Sequence, residues 1–235
     1  MDQDPIAKAG LEIGAIKLSA DPPFKWASGY FMPIYNDNRM FLLFPELKKM
    51  ILKGFYSFIR QHALPDVIAG TATAGISWGS SLSDQLGPQG LPSIYVRDKP
   101  KSHGLKNRIE GIAADSDLEG KTVILIEDLI STGGSSVSAV QAIRDANGEC
   151  NLCMSIFNYG FEKAEKMFKG EEPYEGETSR LDSPCEVKSL LTYDVLLETA
   201  LDGGHITDEQ EKMLAGWRAD PWGWGEKHDF PRAEE

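Results

Sequence analysis

Two adjacent carboxylates, Glu127 and Asp128, close the apolar run Val-Ile-Leu-Ile, and three residues later a hydroxyl and glycine cluster begins: Ser131, Thr132, Gly133, Gly134, Ser135, Ser136. The backbone N–H groups and hydroxyls of Ser131 to Ser135 can converge on a phosphate. Glycines 133 and 134 let the backbone come close, and a helix starting there adds a favourable field. Acids beside an anion cradle repel the anion unless hydroxyl groups stand between them. A sugar phosphate such as ribose 5-phosphate meets that condition. Its 2- and 3-hydroxyls donate to the carboxylates while the loop holds the 5-phosphate.

A second group is basic. Arg97, Lys99, Lys101, His103, Lys106 and Arg108 fall within twelve residues of a chain whose net charge is -12. Ser102, Gly104 and Asn107 give this stretch the composition of a mobile loop. Its charge suits a pyrophosphate that must be grasped and released. Two other phosphate motifs are excluded by residues. A Walker A loop requires Gly-Lys-Ser/Thr, and no lysine lies in 129–143; a dinucleotide fingerprint requires GxGxxG, which Gly133-Gly134 does not supply. A plain helix N-cap would need only Ser131 or Thr132 and leaves the acid pair unexplained.

The elements that must carry these groups alternate along the chain. Helical apolar spacing covers 4–16 (Ile6, Leu11, Ile13, Ile16), and short strands around a turn at Ser28-Gly29 are expected in 17–39. Pro45 opens a helix with Leu47, Met50, Ile51, Phe55, Phe58 and Ile59 on its apolar side. Strands are expected at 66–70, 91–97, 121–128, 150–159 and from 186, and helices at 75–86 and 134–147. The strand runs are continuously apolar, as in a parallel sheet covered on both faces. The fold class is therefore α/β: a mainly parallel central sheet flanked by helices. Three regions are expected: an N-terminal segment of short strands at 1–40, a core at 41–200 and a helical, tryptophan-rich tail at 201–235.

Composition narrows the partners. Thirty-six acidic against 24 basic residues disfavours nucleic acid. No apolar run approaches the ~20 residues that span a bilayer, and the acidic N-terminus lacks a secretory signal pattern, so the cytoplasm is the expected location. Three cysteines are too few and odd in number for a disulfide framework. Cys150 and Cys153 form a CxxC with no second pair, and read as small hydrophobes in a strand. His62, His205 and His228 form no metal-ligand pattern. Asp37 and Arg39 read as a structural ion pair near the site, with a substrate contact as the alternative, and Trp78 reads as core.

The run "VILIEDLISTGG" resembles the phosphoribosyl pyrophosphate (PRPP) motif of type I phosphoribosyltransferases. The blocks "FKWASGYFMPIYNDNR", "IAGTATAGIS" and "YVRDKPKSHGLKNRIEG" resemble orotate phosphoribosyltransferases in order and spacing. That resemblance implies that residues 1–40 form a small N-terminal hood contributing to the base site, and it implies transfer of the ribose 5-phosphate of PRPP to N1 of orotate. The products are orotidine 5'-monophosphate and pyrophosphate, with Mg²⁺ held mainly through PRPP and water. It implies catalytic roles for Lys101, His103 and Asp128. It implies PRPP contacts from Arg97, Lys101, His103, Thr71, Ala72, Glu127, Asp128, Leu129, Ile130, Ser131, Thr132, Gly133, Gly134 and Ser135, and orotate contacts from Ser131 and Phe31. It further implies a homodimer in which Lys101 and His103 reach the neighbouring subunit's site. The chain departs from the family pattern in places. Phe31 and Met32 replace a basic residue and a serine, and Asp98 follows Arg97 where many relatives have a second base. Asn158 or Tyr159 stands where some carry an arginine toward the orotate carboxylate. The alternatives are the same fold acting on another base, and a non-catalytic PRPP-binding regulator; the basic loop argues against the latter.

Overall fold

The computed structural model describes residues 3–19, 21–26, 28–61, 63–99, 108–113, 116–174 and 178–233. In chain order the elements are α1 (Pro5–Glu12), β1 (Ile16–Leu18), β2 (Phe24–Lys25), β3 (Phe31–Met32), β4 (Ile34–Asn36), a 3-10 helix (Asn38–Leu43), α2 (Pro45–Ile59), β5 (Val67–Thr71), α3 (Ala74–Ser83), β6 (Ser93–Val96), β7 (Ile109–Glu110), β8 (Thr122–Ile130), α4 (Gly134–Asp145), β9 (Glu149–Asn158), α5 (Glu162–Phe168), β10 (Glu186–Thr192), α6 (Tyr193–Asp202), α7 (Asp208–Ala219) and α8 (Trp224–Lys227). The chain forms two units. One comprises 49–190, the other 1–48 with 191–235. The expected hood and tail thus fall in one unit, and the boundaries differ from the expected 40/41 and 200/201.

The unit 49–190 is built on a six-stranded sheet of order β10-β9-β8-β5-β6-β7. The pairs β5–β6, β5–β8 and β8–β9 are parallel, and β6–β7 is antiparallel. From β5 the chain moves to β6 on one side and later to β8 on the other. The carboxyl ends of β5 and β8 therefore flank the point where strand order reverses, the place where open α/β sheets leave a crevice for ligands.

β8 explains the continuous apolar run. Val123 and Leu125 join one core cluster with Val137, Val140 and Ile143 of α4, while Ile124 and Ile126 are buried outside that cluster. A strand with a two-residue side-chain period can be apolar throughout only when both faces are covered. α3 packs across β5, β6 and β8, and α4 across β8 and β9. Trp78 is fully buried in α3, in agreement with a packing role. Cys150, Cys153 and Cys185 are buried free thiols, as expected of small hydrophobes.

In the other unit, Asp4 caps α1: its Oδ1 accepts from the amides of Ile6 and Ala7, each at 2.9 Å, ahead of Pro5 at the first helical position. β1 pairs with β4 and β2 with β3, both antiparallel. Asp37 heads the 3-10 helix and pairs with Arg39 through two bonds, at 2.6 and 2.8 Å. The tryptophan-rich tail packs here. Trp217 is fully buried, its indole N–H 3.0 Å from the Met32 sulfur and its ring beside Trp26 and Tyr193. Trp222 meets Tyr30, and Phe230 meets Phe31. A capping box at Thr207 and Gln210 starts α7, a boundary that charge-rich sequence obscures.

Trp217→Ala is expected to destabilise the protein by about 3–5 kcal/mol, the usual range for deleting a buried aromatic. Denaturant unfolding followed by circular dichroism measures this. A loss below about 1 kcal/mol would show that the tail contributes little to this unit.

Candidate active site

The crevice between the ends of β5 and β8 holds the acid pair. Strand alternation puts Glu127 on the α4 side with Val123 and Leu125, and Asp128 on the opposite side. Glu127 is 7% exposed and Asp128 half-buried. The Glu127 carboxyl has three donors: Thr71 Oγ1 at 2.6 Å and the Asp128 amide at 3.0 Å on Oε1, and Ser136 Oγ at 3.0 Å on Oε2. One side chain therefore joins the end of β5, the end of β8 and the first turn of α4. The expectation that both acids face sugar hydroxyls needs this distinction: in this state Glu127 is turned inward, and Asp128 is the more accessible carboxylate.

Close backbone packing makes this possible. A Cβ on Gly70 would lie 2.5 Å from the Gly75 carbonyl oxygen, and one on Gly75 would collide with the Ile126 carbonyl oxygen and the Thr71 hydroxyl. Any larger residue at either position would push β5, α3 and β8 apart. At the next turn Gly133 adopts φ +84° and is the N-cap of α4; a Cβ there would meet Ala164 and Phe168 of α5. Glycine here serves the turn and the packing of α5 as well as access to an anion.

No side chain caps α4, and the first helical bond is from the Val137 amide to the Gly133 carbonyl. The amides of Gly134, Ser135 and Ser136 are first-turn donors, the arrangement that binds anions. Ser131 and Thr132 are half-buried, Ser135 is exposed and Ser136 is buried. Ile130 is buried, its carbonyl accepting from the Tyr159 amide, and Leu129 is half-buried. On the β5 side the Ala72 amide donates to the Val96 carbonyl, and the Ala72–Thr73 peptide is cis.

Thr71, Ala72, Arg97, Glu127 and Ser135 line one small cavity of about 30 Å³. The Arg97 side chain is 42% exposed and lies 3.8 Å from the Glu110 carboxylate across the hairpin. A larger cavity of about 580 Å³ is lined by Ile130, Asn158, Phe161, Phe168 and Val187, and among the expected PRPP residues it includes Ile130 alone. Phe31 belongs to the other unit, where its ring is 5.9 Å from Phe230. Lys101 and His103 lie outside the described residues.

The set of contacts that the resemblance implies includes neither Ser136, which stood in the hydroxyl cluster, nor Arg108, which stood in the basic group suited to pyrophosphate. Ser136 carried a signal: it is a polar residue on the buried face of α4, in helical register with Val140 and Ile143. Among the described residues no set of three His, Cys, Asp or Glu groups is placed to hold a metal ion, and no helix is long and apolar enough to cross a membrane.

The buried carboxyl has a consequence for pH. Burial first, and then the Asp128 carboxylate beside it, push the Glu127 carboxyl from an ordinary 4.5 up to about 8, against the opposing bond from Thr71. An unfolded chain releases this proton near 4.5 and the folded chain near 8. Its contribution to stability is therefore complete below 4.5, falls as pH rises through that window and levels off above about 8. Glu127→Gln, which mimics the protonated form, is expected to remove this slope. Thermal unfolding of both proteins across the window tests it, and parallel curves would contradict the assignment.

Comparison with known proteins agrees with this geometry. A family model described as a phosphoribosyl transferase domain matches residues 45–178. An orotate phosphoribosyltransferase of Oceanobacillus iheyensis is 41% identical over 214 residues, which is 91% of this chain and 96% of that protein. One of Bacillus subtilis is 43% identical over 218 residues, 92% of each. Among solved structures, orotate phosphoribosyltransferase from Aeropyrum pernix is similar in fold, with a TM-score of 0.64 at 21% identity, covering 86% of this chain and 99% of that one. The chain therefore belongs to the phosphoribosyl transferase family, and within it to the orotate phosphoribosyltransferases.

Proposed function

We propose that the protein transfers the ribose 5-phosphate of PRPP to N1 of orotate, releasing orotidine 5'-monophosphate and pyrophosphate, a step of pyrimidine nucleotide synthesis. The observation that carries this reading is the pairing of an accessible acid, Asp128, with the uncapped start of α4. One end of that arrangement suits ribose hydroxyls and the other a 5-phosphate. The orotate enzymes that it resembles over nine-tenths of its length support the base.

Orotate N1 forms a bond to ribose C1 as the bond from C1 to the pyrophosphate oxygen breaks, with inversion. Positive charge develops on the ribose and negative charge on the leaving group. Asp128 accepts from a ribose hydroxyl and faces the developing cation. The amides and hydroxyls from Ser131 to Ser135 hold the 5-phosphate and so fix C1 in line with the base. Thr71 and Ala72 with Arg97 flank the diphosphate end. Lys101 and His103 supply further positive charge as the pyrophosphate leaves, from the neighbouring subunit of a homodimer. Glu127 acts from behind, keeping the Thr71 and Ser136 hydroxyls in place.

One half-buried carboxylate among hydroxyls fits a hydrated Mg²⁺: Asp128 would help to hold the ion, which PRPP and water would mainly carry. When bound, the ion neutralises charge on the departing pyrophosphate. The enzyme is expected to work in the cytoplasm on soluble metabolites.

The direct test is purified protein with Mg²⁺ and PRPP, offered orotate, uracil, adenine or hypoxanthine in turn, with pyrophosphate release measured. Orotate alone is expected to react; release with another base would overturn the substrate and keep the fold. Asp128→Asn is expected to raise the PRPP concentration for half-saturation about 10–100-fold, the range for losing a charged hydrogen bond. Unaltered saturation would remove Asp128 from the ribose. Lys101→Ala is expected to lower turnover by about 10²–10³ with a much smaller effect on PRPP binding, as for a group acting on transition-state charge. Near-normal turnover would remove that role.

A further inference from the structure

The small cavity beside Thr71, Ala72 and Ser135 has another wall, Arg108. This residue precedes β7 and clasps the β6–β7 hairpin: its carbonyl accepts from the Arg97 amide at 2.9 Å, and its Nε donates to the Arg97 carbonyl at 3.0 Å. Nη1 donates to both the carbonyl and the hydroxyl of Ser138 on α4, at 3.2 and 3.0 Å. The guanidinium is thus fixed between the hairpin and the helix that follows the phosphate loop. Its remaining nitrogen, Nη2, is buried and has no hydrogen-bond partner among the described residues. Buried donors of a charged group are nearly always satisfied in folded proteins. The nearby Glu127 carboxyl is engaged by Thr71, Ser136 and the Asp128 amide.

We propose that Arg108 is a substrate-binding residue whose Nη2 donates to one oxygen of the diphosphate group of PRPP, an assignment that rests on the reaction proposed above. Three features converge on this. The cavity that Arg108 shares with Arg97 and the Thr71-Ala72 turn holds about 30 Å³, enough for a single phosphoryl oxygen. Three hydrogen bonds hold the guanidinium through Nε and Nη1, so the side chain loses little freedom when Nη2 takes up an acceptor. The same cavity is also lined by Asp98, directly after Arg97, whose carboxylate would repel a diphosphate. Arg108 offsets that charge from the facing side of the hairpin.

The test compares two ligands that divide PRPP between them. Titration calorimetry measures pyrophosphate with Mg²⁺, and separately ribose 5-phosphate, against the wild-type protein and Arg108→Gln. The variant is expected to bind pyrophosphate about tenfold more weakly, as for loss of one charge-assisted bond, with ribose 5-phosphate affinity changed by less than about twofold. Adding Asp98→Lys to Arg108→Gln is expected to recover part of the pyrophosphate affinity. Equal losses for both ligands would show that Arg108 only braces α4, and an unchanged pyrophosphate affinity would remove it from the site; either result overturns the proposal. Should Arg108→Gln fail to fold, Arg108→Lys carries the same comparison, because one nitrogen cannot replace the fork and a selective pyrophosphate loss is again required. A wild-type protein that binds neither ligand would instead overturn the proposed reaction.

Discussion

A single buried carboxyl organises the crevice. Glu127 takes hydrogen bonds from Thr71 at the end of β5, from the Asp128 amide at the end of β8 and from Ser136 in α4. Thr71 lies 56 residues from Glu127 in sequence and Ser136 only nine, so the carboxyl ties the distant end of β5 to the continuous β8–α4 segment, and each supplies a different part of the candidate site. Gly70 and Gly75 keep the surrounding backbone close enough for the contact to form. Without the carboxyl, two buried hydroxyls would lose their acceptor, and the relation of the Thr71 turn to the α4 loop would be left to apolar packing, which is not directional.

The acid pair thus divides its work by depth. Two adjacent residues on a strand point to opposite faces. Here one face is closed by α4 and the other retains access to solvent, so one acid is held in a low-dielectric pocket favouring its neutral form while the next can remain an acceptor. Two full charges side by side would repel each other and the phosphate. A pair with a single full charge limits both effects.

The sheet was legible because its strands are buried on both faces, which writes long apolar runs such as Val123 to Ile126 into the sequence. The phosphate loop was legible because a plain N-cap needs one hydroxyl, whereas six glycines and hydroxyls run together from Ser131 to Ser136, close behind two acids. β7 was not legible: two residues, Ile109 and Glu110, are too few to show a period, and they follow a basic stretch that dominates the local composition. The orientation of Glu127 was not legible either. Strand parity says that the acids face apart, but which face is deeper depends on Thr71 and Ser136, whose partnership is tertiary. Arg108 was hidden by its neighbours, reading as one of six basic groups until its bonds to Ser138 separated it from them.

The tail that closes on Met32, Tyr30 and Phe31 has a consequence for how the chain is assembled. Trp217 and Met32 are 185 residues apart, so their unit is discontinuous and cannot close until both halves have been made. The central sheet lies wholly between those halves in sequence, apart from the last residues of β10, and its parallel pairs β5–β6 and β8–β9 join successive strands. During synthesis the sheet can begin to condense while the first 48 residues still await their partners. For that interval the apolar side chains of the N-terminal segment, Trp26 and Met32 among them, lack the aromatic cover that the tail supplies. The segment that follows residue 190 therefore sets the time during which the nascent chain is exposed to aggregation and proteolysis.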